Sequence, residues 1–257
     1  MNNNDIIIIG GGLGGLTTGA LLTKEGRKVT VLEKNNIVGG GLQNFTRKGI
    51  LFDTGMHMLG GFRPGQTLYR ICQHLGIMQK LKLQRVDSDC MDEIYYASNH
   101  TTYRVAEGKA GFVESFATHF PHQRAQLQRY VDAIYELADE IDLFNLRPTG
   151  DGIPLHSERF MWSADEFIAH YIDDEQLRDV LAYMNPMYGG VSGHTPAYVH
   201  ALISALYING TDRFVGGSQQ LATALAEVIE HAGGEVVGGA EVIRIAVDNR
   251  TVTQVQT

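Results

Sequence analysis

The chain has 257 residues, 44% apolar and 19% charged, which excludes a disordered segment and fits one large folded domain or two small ones. Its 21 Lys and Arg against 29 Asp and Glu give a net charge of −8, which excludes nucleic acid as the main partner, because neutralising phosphates needs a surplus of cations. Its 30 glycines have no Gly-X-Y period, so they mark tight turns and close approaches of backbone rather than a collagen. Asp5–Ile9 reads as a short, fully buried strand of four isoleucines stopped by Gly10. Gly14–Glu25 reads as a helix with Leu16, Ala20 and Leu21 on one face and Gly26 as its stop. Lys28–Glu33 is a second strand with Val29 and Val31 alternating. Strand, glycine turn, helix and strand make a βαβ unit, so the two strands are expected to be parallel.

The middle of the chain changes character. Thr67–Leu75 reads as a helix, and Leu81–Val105 as short antiparallel strands broken at Ser98-Asn99-His100. From Gly111 to Tyr207 helices dominate. Leu127, Val131, Ile134, Leu137, Ile141 and Phe144 recur at helical spacing, and Asp165–Met184 and Pro196–Tyr207 repeat the pattern. Pro148 to Pro154 is the loop between them. Gly217–His231 is a helix with Leu221, Leu225, Val228 and Ile229 inward, Ser218 as its cap and Gly233 as its stop. Glu235–Val237, Glu241–Val247 and Val252–Gln256 are strands. The chain stops at Thr257 inside what reads as a β-meander, which would leave a strand edge open, so a portion of a longer protein is expected.

No apolar run approaches the roughly 18 residues that span a bilayer. The start Met1-Asn2-Asn3-Asn4 lacks the basic region of a signal peptide. Cys72 and Cys90 are too few for a disulfide framework and read as apolar packing in a reducing compartment. A cytoplasmic protein is expected, with peripheral membrane contact and the oligomeric state left open. The ten histidines show no metal-ligand spacing and no nucleophile elbow is present, so no metal is expected.

Gly10-Gly11-Gly12-Leu13-Gly14-Gly15 satisfies G-x-G-x-x-G at 10, 12 and 15, between a strand and a helix. Gly10 permits the sharp turn, Gly12 has no side chain to block a pyrophosphate, and Gly15 lets helix and strand pack closely. The helix N-terminus then offers N–H groups and a partial positive charge to phosphates. Glu33 follows at the end of the second strand, where a carboxylate accepts hydrogen bonds from ribose hydroxyls and repels a 2′-phosphate. These features specify an ADP-containing dinucleotide without choosing which.

Beyond Glu33 come Gly39-Gly40-Gly41 and then Phe52-Asp53-Thr54-Gly55-Met56-His57. Here the sequence resembles the FAD-dependent oxidoreductases of the phytoene desaturase, carotenoid isomerase and retinol saturase group, a branch of the amine-oxidase-like flavoproteins. Members usually carry Arg after the glycine pair, where this chain has Gly41. The resemblance resumes at Gly216-Gly217-Ser218-Gln219-Gln220 and at Gly239-Ala240-Glu241-Val242, a segment that passes beside the adenine in the family. The resemblance implies FAD as cofactor, held by Gly10, Gly12, Leu13, Gly14, Gly15, Glu33, Lys34, Gly40, Gly41 and the Val242 backbone. It implies no assigned catalytic residue, with His57 a candidate near the flavin and Asp53 orienting backbone. Tyr183–Tyr188 reads as helix core, with the wall of an apolar substrate tunnel as the alternative. Relatives run to roughly twice this length, and nothing here matches their C-terminal half.

The expected fold is α/β, a Rossmann-like FAD-binding domain with a mostly helical insertion carrying a small antiparallel sheet. Residues 1–62 and 213–257 form the dinucleotide domain and 63–212 the insertion. The implied function is FAD-dependent chemistry on a carbon–carbon bond of an apolar polyene or isoprenoid-like substrate. The alternatives are an amine or protoporphyrinogen-type oxidase, and a non-catalytic binder of prenylated proteins of the GDP-dissociation-inhibitor type.

Overall fold

The computed structural model of the protein describes residues 6–148, 150, 152 and 155–257. Asp5, the Met1–Asn4 start, and Thr149, Asp151, Ile153 and Pro154 of the expected loop lie outside the described residues. In chain order the elements are β1 (Ile6–Ile9), α1 (Leu13–Lys24), β2 (Val29–Leu32), β3 (Asn44–Arg47), β4 (Ile50–Asp53), β5 (Leu59–Gly60), α2 (Thr67–Leu75), β6 (Leu83–Arg85), β7 (Asp92–Tyr96), β8 (Thr101–Val105), α3 (Lys109–Ala117), α4 (Arg124–Asp139), α5 (Ala164–Tyr171), α6 (Glu175–Leu181), α7 (Asn185–Tyr188), α8 (Ala197–Ile208), β9 (Thr211–Phe214), α9 (Gln219–His231), β10 (Glu235–Val237), β11 (Arg244–Asp248) and β12 (Thr251–Gln256). They divide into two compact units, one of residues 1–58, 69–84 and 213–257, the other of 59–68 and 85–212.

In the first unit β1, β2 and β10 form a parallel sheet in the order β1-β2-β10, with Ile6 opposite Val29 and Glu235 opposite Thr30. β2 is central, and Val29 and Val31 are fully buried. β1 is an edge strand, which corrects its reading as fully buried: Ile7 and Ile9 remain 43% and 51% exposed. The reason is what faces them. The antiparallel hairpin β11–β12 lies across a cavity of about 330 Å³ from Ile7 and Ile9 rather than packed on them. Helices α1 and α9 pack together against the sheet, where a Cβ on Gly19 would come 2.9 Å from Ile229 and 3.2 Å from Val31. Residues 69–84 cluster here, although the sequence placed them in the insertion. Lys24 Nζ donates to the His74 carbonyl, Lys80 Nζ to Glu227 at 2.6 Å, and the Lys82 N–H to Gln220 at 2.6 Å, so this segment is tied to α1 and α9.

The hairpin β3–β4 pairs Asn44 with Asp53 at its base. That base caps α9. Asp53 Oδ1 accepts from the Ser218 N–H at 2.9 Å and from the Asn44 amide, while Asn44 Oδ1 accepts from the Gln219 N–H at 3.0 Å. Ser218 occupies the N-cap position but does not cap with its own side chain, contrary to expectation. Its hydroxyl lies 3.0 Å from both the Leu42 carbonyl and Asp53. Burial opposes the charge on Asp53, but the bonds from Ser218 and Asn44 outweigh it and hold the carboxyl below its usual range.

The second unit is mostly helical. Its core joins Val105, Phe116, Leu127, Ile134, Phe167 and Leu177, with the hairpin β7–β8 beside it. α4 ends at Asp139, so the helical spacing that runs on to Ile141 and Phe144 overshoots the helix. Asp165–Met184 is not one helix. Asp174 accepts a hydrogen bond from the Leu177 N–H at 3.0 Å and starts α6 afresh after α5. His200 on α8 is fully buried between two phenols, 2.6 Å from Tyr130 and 2.9 Å from Tyr188. The Tyr188 hydroxyl donates to Asn185 Oδ1. It must therefore accept from His200 Nδ1–H, and His200 Nε2 accepts from Tyr130. Burial pushes the imidazole down to about 4, so it is neutral at pH 7.

The two units therefore have separate acid sensitivities. The folded pKa of His200 lies below its unfolded value near 6.5, so the unfolded chain binds the extra proton first. Stability of the second unit falls as pH drops from about 6.5 to about 4, by about 1.4 kcal/mol per pH unit at the steepest point. Asp53 is also lowered, but from a carboxylate's ordinary value, so its contribution is lost only below about pH 4, as it protonates. Urea unfolding followed by fluorescence of the single tryptophan, Trp162 in the second unit, should show the first slope in the parent and lose it in His200→Asn. An unchanged slope in the variant overturns the assignment.

Candidate dinucleotide-binding site

The turn between β1 and α1 is held by backbone bonds that leave its outer side open. Gly10 has φ 104°, a conformation that side-chain-bearing residues rarely adopt, and its N–H donates to the Leu32 carbonyl at 2.7 Å. Gly12 is the N-cap of α1, with no side-chain cap and no acidic residue in the first turn. The first N–H groups of a helix have no intrahelical acceptor and carry its positive dipole end. A Cβ on Gly12 or Gly14 would meet nothing within 4 Å, so side chains there would project into the space these N–H groups address. A Cβ on Gly15 would lie 2.0 Å from the Gly10 carbonyl oxygen. The three glycines of the motif therefore answer to three different demands: dihedral, clearance and contact.

The second glycine cluster folds back on the first. Gly39 donates its N–H to the Gly11 carbonyl at 2.7 Å, Gly39 pairs with Gly12 in a parallel bridge, and a Cβ on Gly40 would sit 3.2 Å from the Gly12 Cα. A Cβ on Gly41 would meet nothing.

Glu33 is 7% exposed and hydrogen-bonded on both oxygens. Oε2 accepts from the Gly11 N–H at 2.8 Å, and Oε1 from the Asn35 N–H at 2.9 Å and the Asn35 side-chain amide at 2.8 Å. Burial works against its charge, but the bonds from Asn35 and Gly11, with the Lys34 charge, hold the carboxyl below its usual range. It is a buried, ionised acceptor at neutral pH. Beside it lies a cavity of about 210 Å³ lined by Ile9, Gly10, Leu32, Glu33, Lys34 and Val242 among others. The 240–242 segment is fixed there because the Ala240 N–H donates to the Glu33 carbonyl at 2.8 Å and the Gly239 N–H to the Asn35 carbonyl at 2.9 Å. It is not a strand: β11 begins at Arg244, later than the expected Glu241.

Gly10, Glu33, Lys34 and Val242 thus line one cavity, with Gly12, Leu13, Gly14 and Gly15 opening the adjoining helix and Gly40 against Gly12. His57 is exposed and lines no part of this cavity; its charge favours the ionised form of Asp53. Tyr188, from the expected core stretch, is engaged by His200 and Asn185. Sequence reasoning missed Asn35, although an Asn two residues after a strand-end carboxylate is a common local hydrogen-bonding arrangement. Among the described residues no cluster of His, Cys, Asp or Glu is assembled for a metal, and no helix is long and apolar enough to cross a membrane.

Fold and site together define a Rossmann-like chain with a candidate dinucleotide site, and comparison with known proteins agrees with that fold. A family profile described as an NAD(P)-binding Rossmann-like domain matches residues 8–75. The chain is 26% identical over 260 residues to the human all-trans-retinol 13,14-reductase, across 95% of this chain and 42% of that protein. It is 25% identical over 255 residues to the 4,4′-diapophytoene desaturase of Staphylococcus aureus, across 95% of this chain and 50% of that one. The chain therefore spans half or less of the length of these relatives. Among solved structures, a putrescine oxidase matches with a TM-score of 0.63 at 21% identity, covering 93% of this chain and 51% of that one. A Rab GDI from Plasmodium falciparum matches at 0.55 and 14%, covering 98% and 61%. These two likenesses concern the fold.

The glycines give a paired test. Gly15→Ala forces a Cβ into a backbone oxygen and should lower the thermal midpoint sharply, whereas Gly12→Val projects into open space and should leave midpoint and circular dichroism near the parent's while abolishing ADP binding. A Gly12→Val protein that binds ADP as the parent does would remove the anion role from this turn.

Proposed function

We propose that the chain is the dinucleotide-binding part of an FAD-dependent oxidoreductase acting on carbon–carbon bonds of an apolar, polyene or isoprenoid-like substrate. The observation that carries the dinucleotide reading is the junction at Glu33, where a buried ionised carboxylate, an uncapped helix start and a cavity meet in one unit. The residues present fit an adenosine diphosphate moiety. Leu13, Gly14 and Gly15 present backbone N–H groups to the pyrophosphate past the clear space at Gly12, Glu33 takes ribose hydroxyls, and Lys34 and Val242 flank the adenosine. Gly40, packed against Gly12, and Gly41, with open space beside it, would hold the cofactor next to that turn. When bound, FAD supplies the hydride chemistry, and the protein supplies binding, orientation and exclusion of water. His57 is given no proton-transfer role in this reading.

The substrate class rests on the relatives, whose names place a retinol reductase and a diapophytoene desaturase on the same stretch of sequence. The amine-oxidase alternative has the fold likeness of a putrescine oxidase, but fold alone does not choose a reaction. The prenyl-protein-binding alternative has a Rab GDI as fold neighbour. The clear space at Gly12 beside an uncapped helix start speaks against it, since packing alone does not require that clearance.

The test is calorimetric titration of the 257-residue chain with ADP and with FAD. The residues at the cavity address adenosine and pyrophosphate, so both nucleotides should bind with similar, weak affinity, and Glu33→Ala should weaken both by about 1.5–3 kcal/mol. Absence of binding to either nucleotide overturns the dinucleotide reading. Turnover of an amine rather than a polyene by FAD-loaded protein moves the assignment to the runner-up.

A further inference from the structure

Glu33 can serve a ribose only if its carboxylate is held in one orientation, and the terminal torsion of a Glu side chain is intrinsically broad. The Gly11 N–H fixes Oε2 alone, which still permits rotation about that bond. What pins the second oxygen is a single residue. Asn35 donates to Oε1 twice, from its backbone at 2.9 Å and from its side-chain amide at 2.8 Å. The same residue also holds the segment that leads into the cavity lining, since its carbonyl accepts from the Gly239 N–H at 2.9 Å, one residue before the Ala240 N–H that binds the Glu33 carbonyl. The two turns are in close contact, for a Cβ on Gly238 would sit 2.4 Å from the Asn36 carbonyl oxygen.

We propose that Asn35 is the positioning residue that orients the Glu33 carboxylate, and that it thereby sets the preference of this site for a nucleotide bearing ribose hydroxyls over one that lacks them. The proposal rests on the dinucleotide reading and adds to it a specificity-determining residue outside the glycine motif. Asn35 is itself exposed, so replacing it removes no core contact. Its backbone N–H and carbonyl survive replacement by Ala or Asp, which isolates the side-chain amide as the variable.

The experiment compares ADP with 2′,3′-dideoxy-ADP by calorimetry on the parent, Glu33→Ala, Asn35→Ala and Asn35→Asp. A hydrogen bond to a charged group corresponds to a preference of roughly tenfold or more for ADP in the parent, lost in Glu33→Ala. Asn35→Ala should cut that preference several-fold. Asn35→Asp, which turns a donor into an acceptor facing Glu33, should remove it. The affinity for dideoxy-ADP should stay near the parent's in both. If both variants keep the parent's preference, or if both nucleotides weaken equally, Asn35 does not act through Glu33 and the proposal is overturned. A parent that binds ADP without preferring it over the dideoxy form would remove Glu33 from the ribose and the proposal with it. No ADP binding at all would instead fail the dinucleotide reading, so the two failures are distinguishable.

Discussion

Burying a carboxylate without partners costs several kcal/mol, and the first unit is arranged around avoiding that cost at Glu33. Its three donors come from different places: the β1–α1 turn through Gly11, and the backbone and side chain of Asn35 just beyond β2. Because Gly11 is one of them, the carboxylate fastens the glycine turn to the end of β2. Because Gly39 then donates to the Gly11 carbonyl, the second glycine loop is placed by the first. The Ala240 and Gly239 bonds bring in the segment after β10. The carboxylate thus ties the glycine turn to the end of β2, while loop 39–41 and the cavity wall join them through main-chain bonds to Gly11, Glu33 and Asn35.

The same logic appears in the second unit with neutral groups. His200 is fully buried, and a buried imidazole needs a partner for each nitrogen. Tyr130 supplies a donor and Tyr188 an acceptor, and the direction is set at the far end by Asn185, which takes the Tyr188 proton. The chain of bonds joins α4, α7 and α8 in a single tautomer. Protonating His200 would require the Tyr130 hydroxyl to turn from donor to acceptor, which breaks this direction of bonds.

The central features legible in the sequence are those whose cause is local. The glycine spacing, Glu33 at a strand end and the apolar stripes of α1, α4 and α9 all act within a few residues of where they are written. What escaped depends on partners far along the chain. β1 reads as a buried strand because four isoleucines carry no record of which neighbours they find, and here Ile7 and Ile9 face a hairpin nearly 250 positions later. Ser218 reads as a cap, but the capping groups of α9 are Asp53 and Asn44, some 165 and 175 positions away, and pairing at that separation leaves no pattern in the sequence. The break between α5 and α6 was legible in principle, since Asp174 is a good N-cap residue, but the apolar period ran across it.

The proposed binding of a pyrophosphate has to work against a net charge of −8, and the cavity itself offers Lys34 against Glu33 and Glu241. The attraction therefore has to come from dipoles rather than from net charge: the free N–H groups at the start of α1, with its dipole behind them. Dipoles act only at short range and at the correct angle, whereas a lysine cluster would reach an anion from many positions. The site is thus more demanding of backbone geometry than a cationic pocket would be. That explains why its critical contacts are those between main-chain atoms, above all the approach of Gly15 to the Gly10 carbonyl, which admits no side chain, and the Gly11 N–H held by Glu33. In such a site a change of one methyl group at position 15 matters more than a change of one unit of surface charge, because the methyl moves the dipoles and the charge does not.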